Sequence, residues 1–260
     1  MRPRTLLASW LDVLPNSFNL NSMKHKLSQY QTFFREFRRS FETTGAVAPS
    51  GRSLARAVCR PISEPRQPAR ILEVGPGTGA VTQEIVRHIG PDDHFDLIEL
   101  NERFVETLQY RFQHEAAFRR VANRTTILHK AVQDVHPEQP YDYIICGVPF
   151  NNFSTGLVRE IMRHLTKLLR PGGTMSFFEY LWIRRIKVLL AAKEERRRLS
   201  SVGRVLGHYL QRYEYACDTA WVNFPPALAH HLRFEPAHDN GHAPHKRARR
   251  KSQRHSEVAS

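Results

Sequence analysis

A chain of 260 residues can bury one ordinary core with length left over for its ends, so a single domain is expected. Its 39 Lys and Arg against 25 Asp and Glu leave a formal charge of +14, which predicts a surface that attracts polyanions, either nucleic acid or an anionic lipid surface. Neither a disulfide scaffold nor a zinc site is indicated, because Cys59, Cys146 and Cys217 form neither a CxxC pair nor an even framework, and a reducing cytosol is the simplest setting.

Residues 1–23 read as a loosely structured leader with apolar clusters around Leu7, Trp10, Leu11 and Leu14. Asp12 interrupts that run and no small-residue cleavage site follows, which argues against a signal peptide. No stretch reaches the ~18 consecutive apolar residues of a membrane span. Over 24–43 the pattern sharpens: Leu27, Tyr30, Phe34, Phe37 and Phe41 recur at helical spacing, while Lys24, Lys26, Arg35, Arg38 and Arg39 fall largely elsewhere. Such a helix suits a membrane interface, with Tyr30, Phe34, Phe37, Arg38 and Phe41 as contact residues, or packs on the domain as a lid. A turn at TTGAVAPSG precedes a short helix over SLARAV, with Ser50 or Ser53 available as its cap.

From Arg70 strands and helices alternate. RILEV, HFDLIEL, TTILHK, YDYIICGV and TMSFFEY read as strands. Between them GAVTQEIVRHIG, NERFVETLQYRFQHEAAF (capped by Asn101) and TGLVREIMRHLTKLLR (ended by Pro171-Gly172-Gly173) read as helices. That alternation predicts an α/β fold, a parallel sheet with helices on both faces. A long basic helix over about 182–210 leads to two strands joined through Pro225-Pro226; its apolar residues either lie on lipid or pack on the sheet. After Phe234 the apolar periodicity ends. The expected organisation is a leader with a basic amphipathic helix over 1–43, one domain over 44–234, and a basic disordered tail over 235–260 that is either simply solvated or attracts lipid or RNA. His238, His242 and His245 lie in that tail among Gly and Pro, which deny them a fixed geometry, so no metal is expected.

LEVGPGTGAV places Glu73, Gly75, Gly77 and Gly79 at the turn from the first strand into its helix, where glycine lets backbone approach a ligand and free N–H groups face it. A lone glycine turn serves many nucleotide folds. Glu73 narrows the choice, since a carboxylate there suits an ammonium and would repel a pyrophosphate. Glu99, closing the second strand, is placed to accept hydrogen bonds from ribose hydroxyls. Ribose and ammonium together point to S-adenosylmethionine, with a dinucleotide-binding domain as the alternative.

This pattern resembles the class I S-adenosylmethionine-dependent methyltransferases over residues from about 44 to 234. The resemblance implies a Rossmann-like seven-stranded sheet whose last strand is antiparallel, consistent with the Pro-Pro hairpin. The family often holds the adenine amine with an acidic residue after the third strand; Lys130 occupies that place here and Asp134 follows as a candidate. The expected cofactor set is Glu73, Gly75, Gly77, Thr78, Gly79, Glu99, Asn101, Asp134 and Gly147.

GVPFNNF, residues 147–153, follows the fourth strand. Adenine dimethylases of ribosomal RNA carry Asn-Leu-Pro and an aromatic residue there; this chain keeps Pro149 and Phe150 but has Gly147 where the amide stands, which weakens the grip on a flipped base. TGAVAPSGRSLARAV and NFPPA (Asn223 to Ala227), with the Gly-hydrophobic-Pro sequence between them, are similar to the bacterial soluble phospholipid N-methyltransferases. That resemblance implies an N-methyltransferase acting on the amino head group of phosphatidylethanolamine and its methylated forms. It would work as a peripheral protein at the cytoplasmic face of the cell membrane, against an anionic surface, with RNA adenine as the alternative substrate. Gly147 is then read as leaving space, with no planar amide needed. Phe150, Glu179 and Tyr180 are the expected catalytic residues and Asn151 a substrate contact. Two of these keep a second reading: Phe150 as a core aromatic, Glu179 as a structural ion-pair partner instead of a proton acceptor.

Overall fold

The computed structural model describes residues 49–181, 193–223 and 226–235. The amphipathic helix expected over 24–43, with Tyr30, Phe34, Phe37, Arg38 and Phe41, lies outside the described residues, as do 182–192 and the tail from 236.

Helix α1 (Pro49–Ser63) opens on proline, whose fixed φ and missing N–H are no loss in a first helical turn. Ser50 and Ser53 consequently lie inside the helix instead of capping it. Leu54, Ala55, Val58, Cys59 and Ile62 form its buried face. Strands and helices then alternate as β1 (Arg70–Val74), α2 (Thr82–His88), β2 (His94–Glu99), α3 (Glu102–His114), α4 (Ala116–Arg119), β3 (Thr125–His129), β4 (Tyr141–Cys146), α5 (Thr155–Leu168) and β5 (Leu169–Tyr180). Helix α6 (Lys193–Tyr213) and the strands β6 (Glu214–Ala220) and β7 (Ala227–Phe234) complete the described residues.

The sheet has seven strands in the order β3-β2-β1-β4-β5-β7-β6. All pairings are parallel except those of β7, which runs antiparallel to β5 and to β6. Leu72, Val74, Ile144, Cys146 and Phe177 pack under α5 and α6 on one face; Ile71, Leu97, Ile145 and Ala229 pack under α1, α2 and α3 on the other. Side chains alternate across the sheet, so each strand feeds both layers.

Two boundaries differ from expectation. Pro171-Gly172-Gly173 does not end α5: the helix stops at Leu168, Leu169 already pairs with Tyr141, and the Pro-Gly-Gly forms an irregularity before Thr174 pairs with Tyr143. Gly172 takes φ 78° there, a conformation open to glycine at no steric cost. The helix expected from Asn101 to Phe118 breaks at Glu115 into α3 and α4. Arg111 grips Glu115 at the break with Nε–Oε1 2.7 Å and Nη2–Oε2 2.9 Å, and the rings of Phe112 and Phe118 meet edge to face.

Helix α1 is tied to the antiparallel strands by a polar row whose inner half, Ser176 and His231, is buried and whose outer half is partly exposed. His231, fully buried, lies 2.8 Å from Ser176 Oγ through Nδ1 and 3.0 Å from Asp218 Oδ2 through Nε2. Asp218 also pairs with Arg60 of α1. Ser, His and Asp in a row invite a nucleophile reading, but Ser176 and His231 are sealed from solvent and substrate. Burial lowers the His231 pKa, so its ring is neutral and serves as a hydrogen-bonding strut.

Because β1, β2, β4 and β5 are parallel, Val74, Glu99, Cys146 and Tyr180 end on one edge of the sheet. Ligands bind on that edge in folds of this kind.

Candidate active site

The cofactor turn leaves β1 with Gly75, Gly77 and Gly79 at φ 70°, 59° and 86°, all in the left-handed region. A Cβ on Gly79 would stand 2.7 Å from Arg111 Nη1, whereas one on Gly77 would meet nothing within 4 Å, which marks Gly77 as the open, ligand-facing position. Arg111 donates from Nη1 to the carbonyls of Thr78 and Gly79, each at 2.9 Å, and so pins the turn from α3. Glu99 is 1% exposed. Its Oε2 accepts from Gly77 N at 3.0 Å, and its Oε1 accepts from Leu100 N and Asn101 N, both at 2.8 Å. Burial pushes its pKa up, while the three amides act to lower it. Asn101 caps α3, with Oδ1 accepting from Arg103 N at 3.0 Å.

Glu73 is fully buried. The Thr82 hydroxyl donates to its Oε2 at 2.7 Å, locking β1 to α2, and Oε1 has no hydrogen-bond partner. Burial pushes its pKa up to about 8 against the lowering pull of Thr82. An orphaned acidic oxygen fits a cationic group such as the ammonium of S-adenosylmethionine. Asp134 is exposed at the end of the short 3-10 turn Val132–Asp134 after β3. Its neighbour Gln133 is half-buried with an Oε1 that lacks a partner, the acceptor an exocyclic amine requires.

Gly147 belongs to this turn sterically. Its N–H donates to Val74 O at 2.8 Å, and a Cβ built on it would sit 2.7 Å from Gly75 O and 3.4 Å from Val74 O. The reading of Gly147 as space for a substrate is therefore corrected: the room it leaves is taken by the β1 carbonyls. Gly147→Ala must push β4 away from the cofactor turn, an overpacking cost of about 1–3 kcal/mol. The expected outcome is a lower melting temperature together with weaker binding of S-adenosylhomocysteine in calorimetry; unchanged binding would refute the steric account.

On the amine side, Phe150 is 2% exposed and meets Phe177 edge to face at 5.6 Å, inside the α5/α6 core. Asn151 is half-buried and its Oδ1 is a buried acceptor without a partner. Arg198 of α6 clamps this loop: Nη2 donates to Asn151 O at 2.8 Å and Nη1 donates to Phe153 O, while Glu195 holds the guanidinium. Neither Arg198 nor Arg111 was singled out from the sequence.

Glu179 faces His230, with Oε2 3.7 Å from Nε2; His230 Nδ1 lies 2.8 Å from Glu214 Oε1 and 3.6 Å from Cys217 Sγ. Glu214, Cys217 and His230 are also the donor types a soft divalent ion takes, but the hydrogen bond to Glu214 already occupies Nδ1. Tyr180 points to the α1 layer, edge-on to Phe178 at 5.5 Å, and burial pushes its pKa up to about 12. The structure thus gathers Phe150 and Glu179 on one face of the sheet and Tyr180 on the other.

Sheet order, glycine turn and acidic strand ends together define a nucleotide-fold methyltransferase. Residues 72–175 match the family described as a methyltransferase domain. The chain is 29% identical over 159 residues to the ornithine lipid N-methyltransferase of Singulisphaera acidiphila, covering 60% of this chain and 81% of that protein. It is also 29% identical over 120 residues to the highly reducing polyketide synthase azaB of Aspergillus niger, 43% of this chain but 5% of that much longer protein. Among solved structures, the N-methyltransferase NodS of Bradyrhizobium japonicum in complex with S-adenosylhomocysteine superposes with a TM-score of 0.56 over 79% of this chain and 98% of that one. At 16% identity that likeness speaks to the fold. The protein is a class I S-adenosylmethionine-dependent methyltransferase, similar to lipid N-methyltransferases.

Proposed function

We propose that the protein methylates the amino head group of phosphatidylethanolamine and its partly methylated forms, working as a peripheral protein at the cytoplasmic face of the cell membrane. The observation that carries a lipid amine is the similarity to an ornithine lipid N-methyltransferase across four-fifths of that enzyme's length. The charge of +14 favours an anionic surface, and among the described residues no helix is long and apolar enough to cross a membrane. The same relative favours lipid over RNA, and it makes ornithine lipid the second reading of the substrate.

Bound S-adenosylmethionine supplies an electrophilic methyl group. Glu73, Glu99 and the glycine turn would hold it, with Gln133 as acceptor for its adenine amine. The receiving nitrogen must be neutral, although a free alkyl amine has a pKa of about 10.4. Burial against the loop that carries Asn151 would lower that value, and Asn151 Oδ1 offers an acceptor for an N–H of the primary or secondary amine. Glu179 takes the proton that leaves, with the His230 ring 3.7 Å away as its neighbour.

The test supplies methyl-labelled S-adenosylmethionine with vesicles holding phosphatidylethanolamine, vesicles holding ornithine lipid, or undermethylated ribosomal RNA. Label in phosphatidylethanolamine is expected. Label in ornithine lipid alone would move the substrate within the lipid class, and label in RNA alone would overturn the proposal.

A further inference from the structure

We propose that the tip of the β6–β7 hairpin, Trp221-Val222, together with Arg52 and Arg56 of α1, docks the rim of the active site into the interfacial zone of an anionic phospholipid bilayer. The proposal rests on the lipid reading of the substrate.

Trp221 is 70% exposed and Val222 71%, adjacent to each other, whereas most large apolar side chains among the described residues are buried. Two neighbouring exposed apolar residues need a partner more than single scattered ones do. Their position in the fold limits what that partner can be. Ala220 pairs with Ala227, and Ala227 pairs with Tyr180 at the end of β5, so the hairpin tip stands on the edge where the cofactor turn and the amine loop lie. The tip is held there: Leu181 N donates to Pro226 O at 2.7 Å, and Asn223, itself buried, donates from its N–H to Ala220 O at 3.3 Å.

Positive charge lies beside it. Arg52 and Arg56, one turn apart on α1 and both exposed, line a shallow depression with Ser53 and Val222. Neither makes an ion pair with a described residue. Like charges at this spacing repel each other, and a phosphate beside them removes the repulsion. Indole, a branched aliphatic chain and two guanidinium groups at one rim match the layered chemistry of a bilayer interface, where Trp sits at head-group depth and Arg meets phosphate. A head-group amine stands close to that same level, so docking the rim brings the nitrogen to the Phe150–Asn151 loop without extracting the acyl chains.

The experiment uses the full chain with Trp10→Phe and Trp182→Phe, leaving Trp221 as the single indole. Vesicles of phosphatidylcholine with phosphatidylglycerol are expected to shift its emission to the blue, protect it from iodide and expose it to quenching by brominated acyl chains. Emission and iodide quenching that do not change with vesicles would overturn the proposal. In the otherwise native chain, Trp221→Ser with Val222→Ser is expected to weaken vesicle binding about tenfold or more. Arg52→Glu with Arg56→Glu should weaken binding to phosphatidylglycerol vesicles and leave binding to pure phosphatidylcholine unchanged. Methylation of dispersed short-chain phosphatidylethanolamine should persist in both variants. The fluorescence needs no methyl transfer, so the two proposals fail separately: insertion without lipid methylation leaves the docking surface standing, and lipid methylation with Trp221 still in water removes only the docking surface.

Discussion

Glu99→Ala is expected to weaken S-adenosylhomocysteine binding by about a hundredfold or more, since about 1.4 kcal/mol accounts for each factor of ten. The side chain closes β2 almost wholly out of solvent and satisfies three backbone N–H groups, those of Gly77, Leu100 and Asn101. Each donor left bare costs about 1–3 kcal/mol, less whatever water recovers by entering the site. Two of the donors set the start of α3, and the third fixes the glycine turn, so the loss falls both on the ribose acceptor and on the shape of the loop. Glu99→Gln keeps one acceptor oxygen but turns an NH2 toward a backbone donor, and an intermediate loss is expected. Calorimetry reads the affinity, and thermal unfolding reads the fold. Binding by Glu99→Ala within about threefold of the native chain would place the ribose contact elsewhere.

The parts legible in the sequence are those whose signals are local. Glycines beside a strand end, Asn101 ahead of a periodic run, and apolar strands separated by amphipathic helices are each set by neighbours a few residues away, and they gave the sheet and the cofactor turn. What escaped depends on which strands adjoin. Arg111 reaches the glycine turn from α3, and nothing in its own helix marks it among the other arginines. Arg198 lies in a basic segment that the sequence left open between lipid contact and packing; its side chain proves to clamp the amine loop. Glu179 could be read as acid or ion-pair partner because His230 comes beside it only through the antiparallel pairing of β5 with β7. The neighbour of Gly147 is likewise set by pairing: β1 beside β4 puts Gly75 O where a side chain at 147 would stand. Glu179 and Tyr180 are consecutive in a strand, and a period of two sends them to opposite faces, a separation the sequence itself carries.

The pH dependence of stability provides a second large effect, centred on Glu73. Burial raises its pKa from 4.5 to about 8, against the opposing hydrogen bond from Thr82. The folded chain therefore holds the proton more tightly than the unfolded chain does. The sign follows from linkage: the contribution of this group is fully present below the unfolded value and is lost as pH rises toward the folded one. In the cofactor-free protein, Glu73 should lower the melting temperature steadily from about pH 5 to about pH 8. His231 acts in the opposite sense, because its lowered pKa makes the folded state resist protonation and lose stability as pH falls below its unfolded value of 6.5. The native chain must accordingly be compared with Glu73→Gln, which keeps the volume and the Thr82 contact but has no proton to lose. The variant is expected to gain stability relative to the native chain as pH rises across that range. A cationic ligand beside the carboxylate should reverse the trend, tightening with pH in the native chain and staying level in the variant. If the difference in melting temperature between the two proteins is flat over that range, Glu73 is already ionised in the fold, and its orphaned oxygen has a partner that holds it so.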